Sequence, residues 1–280
     1  MLRNLSVNSD WLPRWSGALA SLAVFGCQCA VAEGLRAPGF AWAEVRYPGS
    51  EQRLEQDDLV FESSVHQGLE LFKLSERDRL NLFGRLRYLT DSDEIDFNSK
   101  AVFSLGGRLV HQVSDSAVVS AGALYEFDRR FRTDRNLKGS TLFMDGYGTW
   151  KLSQRNPGEF WAELRYPASH DPLEEEDLIF EGVLEQGIDW SRIGEQGRFN
   201  TFAILEWQYD SEGLDYYRSL AGGLGVKLRF PMGDAGLLQI GAKYLIDRRW
   251  ESRVTEDGVI GFLSWSTAWD ARTIRRHLPD

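Results

Sequence analysis

The 280-residue chain has only two cysteines, Cys27 and Cys29, and both fall within its first 32 residues. The rest of the sequence therefore has no thiol to form a disulfide, bind a metal or attack a substrate. Beyond that first stretch there is also no run of about 18 apolar residues, so a membrane-spanning helix is excluded and any crossing must use strands. Positive charge is in deficit: 32 Lys and Arg stand against 42 Asp and Glu, a formal net charge of -10. Such a chain offers no cationic face to nucleic-acid phosphates. The four histidines, His66, His111, His170 and His277, belong to no hydrolase motif. No glycine-rich phosphate cradle is present, and the acidic stretches at 51–58 and 174–177 read as solvated loops. The chain is thus expected to be no enzyme and to carry neither cofactor nor metal.

Residues 1–32 read as a signal peptide. Arg3 and Arg14 precede the apolar run GALASLAVFGCQCAVA, and Ala30-Val31-Ala32 offers small residues for cleavage before Glu33. An alternative cut, a lipid-attachment site at Cys27, is disfavoured by Phe25, because a small residue is usual there.

What the sequence does contain is repetition. At an ungapped offset of 119, PGFAWAEVRYPGS (38–50) lies over PGEFWAELRYPAS (157–169), and DDLVFESSVHQGLEL (57–71) over EDLIFEGVLEQGIDW (176–190). DSDEIDF at 91 falls on DSEGLDY at 210, and ALYEFDRRF at 123 on AKYLIDRRW at 242. The sequence implies a duplicated unit, with copies at about 38–152 and 157–269.

Alternation of apolar and polar residues with period two marks six strands in each copy. They fall at 40–48, 58–73, 80–90, 97–112, 117–131 and 140–152, then at 159–167, 177–191, 199–209, 216–230, 236–250 and 259–269. Tight turn signals (SERD, SDS, QRNPG, IGEQG, PMGDAG) alternate with more acidic connections (PGSEQRLEQDD, DSDEID, TDRNLK, PASHDPLEEED, TEDG). The expected fold is all-β: a twelve-stranded antiparallel transmembrane β-barrel made of two tandem six-strand repeats, spanning 33–269. Closure removes the edges that an open sheet would expose.

One face of these strands is apolar and ends in aromatics: Ala41, Ala43, Val45 and Tyr47 on the first, Val119, Ala121, Ala123, Tyr125 and Phe127 on the fifth. The other is charged. Twelve strands enclose too wide a lumen for apolar side chains to fill, so the charged face is expected inside and the apolar face in lipid. Tyr47, Tyr88, Tyr125, Tyr166, Trp207, Tyr244 and Trp250 gather at strand ends as an aromatic girdle would. With the mature N-terminus in the periplasm, the acidic connections face outside and 270–280 becomes a periplasmic tail. Leu263, Trp265 and Trp269 face outward on the last strand, as the barrel assembly machinery would require. The expected location is the bacterial outer membrane, among its lipid and lipopolysaccharide.

The candidate lumen-lining set is Trp42, Glu44, Arg46, Glu62, Asp128 and Arg130, repeated as Trp161, Glu163, Arg165, Glu181, Asp247 and Arg249. Aromatic faces stack on sugar rings, while carboxylates and guanidinium groups hydrogen-bond hydroxyls, which points to a carbohydrate path. The same charges could instead brace the wall by pairing across strands. With every outer connection short, no loop is expected to fold inward as a plug. Three functions follow: an export channel for an extracellular polysaccharide, a general small-solute porin, or a closed structural or receptor barrel.

The phrases LEQGIDW, LEWQYDSEGLD, GGLGVKL and GAKYLIDRRW resemble the barrel segments of exopolysaccharide-secretion and phage-adsorption outer-membrane proteins. The resemblance implies polysaccharide as cargo. Such proteins place a periplasmic helical-repeat scaffold before the barrel, so here a separate scaffold protein would be a partner.

Overall fold

The computed structural model describes residues 36–269 except 51–57, 93–97, 173–174, 195, 214–217 and 234–235. The expected signal peptide and periplasmic tail lie outside the described residues. Twelve strands follow one another along the chain: β1 (Gly39–Tyr47), β2 (Val60–Lys73), β3 (Asp78–Asp91), β4 (Lys100–Ser114), β5 (Ala117–Arg130) and β6 (Arg135–Lys151). The second six are β7 (Pro157–Tyr166), β8 (Ile179–Ile193), β9 (Gly197–Asp210), β10 (Ser219–Met232), β11 (Gly236–Arg249) and β12 (Thr255–Trp269). Each pairs antiparallel with its sequence neighbours, and β1 pairs with β12 from Gly39↔Trp269 to Tyr47↔Gly261, closing the barrel.

The alternation that creates these strands also sorts the residues by face. On β4 the side chains of Phe103, Leu105 and Leu109 are exposed while Ser104 is fully buried; on β6 Leu142 and Met144 are exposed while Thr141 and Phe143 are buried. Leu224 on β10 and Val259 on β12 continue the exposed apolar belt. Burying the polar face and exposing the apolar one inverts the order of a soluble protein, and it is stable only with hydrocarbon outside. At the end of the barrel opposite Gly39 and Trp269, Tyr47, Tyr125, Tyr166, Tyr244 and Trp250 are exposed.

Two hairpins are longer than the sequence suggests. TDRNLK and TEDG read as loops, yet β6 begins at Arg135, paired with Arg130, and β12 at Thr255, paired with Arg248. The reason is local: Asp134 (φ 55°) and Arg253 (φ 59°) take the left-handed conformation, closing each turn early and letting polar residues extend the ladder.

β1 and β7 are the shortest strands, and each is bridged on the outer face. The Trp269 Nε1 donates to Gln67 Oε1 (3.0 Å), linking β12 to β2 over β1, and Trp150 Nε1 donates to Gln186 Oε1 (2.7 Å), linking β6 to β8 over β7. At the opposite end of the barrel, Asp58 accepts hydrogen bonds from the backbone and hydroxyl of Ser92, and Asp177 does the same for Ser211.

Candidate functional site: the barrel lumen

Strands β4, β5 and β6 lie between β3 and β7 in the ring, yet Arg85 of β3 comes within 3.6 Å of Glu163 of β7. Only a path across the interior allows that contact. It fixes the charged face as the inner one, and it ties two walls of the lumen together.

Arg85 is held from both sides. Its Nη2 donates to Glu126 Oε1 at 3.0 Å, and the same carboxylate oxygen accepts from Ser104 Oγ at 3.2 Å. Glu163 in turn accepts from Arg165 Nη1 at 3.2 Å, and that guanidinium also reaches Glu181 at 3.2 Å. Around β1–β3 the corresponding chain runs from Glu44 to Arg46 (3.5 Å), to Glu62 (3.6 Å) and on to Arg87 (2.6 Å). Alternating signs let every charge answer its neighbour, so the wall carries many ions with little net field.

The twelve candidate residues all stand on inward-facing positions. Glu44, Arg46 and Glu62 belong to one ion-pair chain, and Glu163, Arg165 and Glu181 to the other. Asp128 lies 3.5 Å from Arg130, and Arg130 is 3.0 Å from Asp171. Asp247 is buried, and Arg249 pairs with Glu256 at 3.0 Å. The two tryptophans part company: Trp42 is half-buried between Ser64 and Ser266 in the ladder, whereas Trp161, between Tyr147 and Val183, is 37% exposed.

Several interior residues escaped the sequence reading. Phe83 and Phe143 meet edge to face at 5.6 Å with the Arg108 guanidinium 4.9 Å above Phe83. Phe202 and Phe262 meet at 6.4 Å with Lys227 Nζ 4.7 Å above Phe202. Cation–π contact lets a charge rest on an aromatic floor in a part of the lumen that is short of water. The signal was available, since all three pairs of equivalent positions recur at the 119 offset on faces otherwise charged. Leu124 packs with Phe83 and Phe143. Beside them a cavity of about 10 Å³, room for one water molecule, is lined by His66, Arg85, Arg108, Asp145 and Glu163 among others.

The β7–β8 connection brings two side chains, Asp171 and His170, to the mouth of the lumen. Its Asp171 Oδ2 pairs with Arg130 Nη1 (3.0 Å) and Arg135 Nη1 (3.3 Å). His170 lies with Nε2 3.3 Å from Thr141 Oγ1 and 3.8 Å from Glu126 Oε2. Glycine at 139 leaves room for the His170 ring, which a Cβ there would meet. Two side chains thus occupy part of a mouth already narrowed by Arg130 and Arg135.

The other described histidines find structural surroundings. His66 stacks on Phe40 at 4.1 Å between ring centroids. His111 Nδ1 is 2.7 Å from Asp78, whose other oxygen accepts from Ser75 Oγ at 2.5 Å. There the carboxylate sits between hydroxyl and imidazole, so the imidazole cannot draw the proton from Ser75 as a nucleophile's base must. Among the described residues no group of three or more His, Cys, Asp or Glu is placed to hold a metal ion.

No protein-family model and no curated protein matches the chain. Among solved structures it is similar to an outer membrane channel from Pseudomonas putida F1, at 12% identity and a TM-score of 0.46, covering 84% of this chain and 95% of that one. It is also similar to the beta domain of a Bordetella autotransporter (16% identity, TM-score 0.37, 84% of this chain and 99% of that one). A bacterial polysaccharide outer membrane secretin matches at 10% identity and a TM-score of 0.37, covering 84% and 98% respectively. The class follows from the molecule itself: a closed antiparallel barrel with an apolar exterior, an aromatic rim and a charged interior is an outer-membrane β-barrel.

Proposed function

We propose that this barrel is a channel that passes an extracellular polysaccharide across the outer membrane, with its termini in the periplasm and its lumen latched in the state described. The observation that carries the reading is a pair of lumen-facing aromatics. Trp161 and Tyr147 are direct cross-strand partners on β7 and β6, and they are 37% and 36% exposed. An aromatic side chain left wet on the inner wall offers a face to sugar C–H groups. Around it stand Glu159 and Glu185, paired in the ladder, and Lys227, which donates to both oxygens of Glu185 at 2.6 and 2.8 Å. These groups suit hydroxyls.

The duplication belongs to the same proposal. Strands β3 and β9, β5 and β11, the two Trp–Gln bridges, the two Asp–Ser contacts and the two cation–aromatic groups all sit at the 119 offset. A separate periplasmic scaffold and the barrel assembly machinery are the expected protein partners.

A closed structural barrel is the second reading, favoured by the Arg85–Glu163 contact across the lumen. Planar-bilayer recording of the purified protein separates the two, since a channel gives discrete current steps and a closed barrel gives none. Neutral oligosaccharide added to a conducting barrel should interrupt the current reversibly, and Trp161→Ala should weaken that block about tenfold. Unchanged polysaccharide secretion after deletion of the gene would overturn export.

A further inference from the structure

We propose that the outer wall of β4–β6 carries a binding site for one phosphorylated lipid of the outer leaflet, the phosphate held by Lys138 and Arg129 and the acyl chains by Phe103, Tyr125 and Phe127. Phe127 is exposed and faces out, and Lys138 is its direct partner in the ladder. Phe103 stacks beside Phe127 at 6.4 Å between centroids, and Tyr125 meets Phe127 edge-on at 5.0 Å. Three rings therefore form a continuous apolar floor, with Lys138 beside it in the same row as Phe103 and Phe127 and Arg129 two residues beyond Phe127 on β5.

Those cations differ in their freedom. The Arg129 Nη1 donates to Asn136 Oδ1 at 3.1 Å and to the Asp134 carbonyl at 3.4 Å, and its Nη2 pairs with the Asp134 carboxylate. The guanidinium is thus aimed along the wall beside the turn. Lys138 is exposed and makes no hydrogen bond or ion pair among the described residues. A phosphate monoester carries the charge and the acceptor oxygens that an unpaired ammonium next to an oriented guanidinium would hold.

The opposite wall provides an internal comparison. At the 119 offset Phe103 becomes Gly222, Phe127 becomes Ile246 and Lys138 becomes Asp257, while Arg129 is kept as Arg248. There Tyr244 Oη donates to Asp257 at 2.6 Å, closing the position. A rim cation occurs on both walls; the aromatic floor with a free lysine occurs on one.

The site rests on the orientation proposed above, with the β5–β6 turn outside, and not on the cargo. The test is retention of hexa-acylated lipid A by the purified barrel, counted by native mass spectrometry and titrated in detergent. One bound lipid A is expected, with affinity falling about tenfold in R129Q/K138Q and unchanged in R248Q. Enzymatically dephosphorylated lipid A should bind as weakly to wild type as lipid A does to the double variant. Inorganic phosphate should not compete at millimolar concentration, because it lacks the chains; effective competition would mean a free-anion site and overturn the lipid assignment. Equal binding by the double variant, or an equal loss in R248Q, would also overturn it. Gel migration before and after heating shows that each variant is folded. K138C should react with a membrane-impermeant maleimide on intact cells; labelling only after lysis would sink the orientation and the site with it.

Discussion

Replacing Glu163 by Gln removes the charge that meets Arg85 across the lumen while keeping the shape of the side chain. At the observed 3.6 Å, and with an effective dielectric constant of about 20, the attraction amounts to roughly 5 kcal/mol before solvation is counted. Much of that is offset. Arg85 keeps Glu126 at 3.0 Å, Arg165 keeps Glu181 at 3.2 Å, and both members of the pair lose hydration when they meet. A net loss of about 1–2 kcal/mol from the latched state is a fair magnitude, and that shifts a two-state ratio by roughly 5- to 30-fold. Single-channel recording should show the change as a rise in open probability of that size at low voltage, with unitary conductance little altered. The exchanged pair, Arg85→Glu with Glu163→Arg, should restore part of the closed population, although Glu126 would then face a carboxylate. If E163Q has the open probability of wild type and migrates as a folded barrel, the contact across the lumen is no latch.

Asp171→Asn removes the anion that ties the β7–β8 loop to Arg130 and Arg135, and protease added from outside should then cut within 167–178 several times faster than in wild type. Trp150→Ala deletes the bridge over β7 together with its packing on Phe160, and the folded barrel in lipid vesicles should lose about 1–3 kcal/mol in urea titration. Gln186→Leu removes that acceptor together with the Nε2 donations to the Pro157 carbonyl (3.0 Å) and the Gly187 carbonyl (3.2 Å), and should cost about 1–3 kcal/mol in the same titration; an unchanged stability would refute the bridge as a source of it.

The strands were legible because period-two alternation is a property of neighbouring residues. Inward and outward sets followed from the same pattern, which is why Glu44, Arg46, Glu163 and Arg165 could be placed on the inner wall from sequence. The early starts of β6 and β12 were hidden, since a left-handed Asp134 or Arg253 leaves no trace in hydropathy. Cross-lumen partners were hidden for a different reason. Arg85 finds Glu163 through the register of five strands and the curvature of the ring, neither of which alternation encodes. The apolar interior of Phe83, Leu124 and Phe143 was masked by the charged residues that share its face. The inward turn of His170 depended on the open space over Gly139, a feature of packing and not of loop length.

The two halves of the lumen differ at the position that matters most. Under a duplication, the counterpart of the Arg85–Glu163 contact would join residue 204 of β9 to Glu44 of β1, but 204 is Ile, and the residue equivalent to Glu126 is Leu245. Glu44 instead pairs only with Arg46 along its own strand, at 3.5 Å, among the ion pairs described. Among the described residues the Arg85–Glu163 latch therefore has no counterpart between β9 and β1. Installing the missing partners as I204R/L245E would present a guanidinium to Glu44 with a carboxylate behind it, copying the arrangement around Arg85. Such a variant should conduct several-fold less than wild type, and adding Glu44→Gln should return much of the lost current. A folded I204R/L245E barrel with wild-type conductance would mean that a bridge between β9 and β1 does not narrow the path.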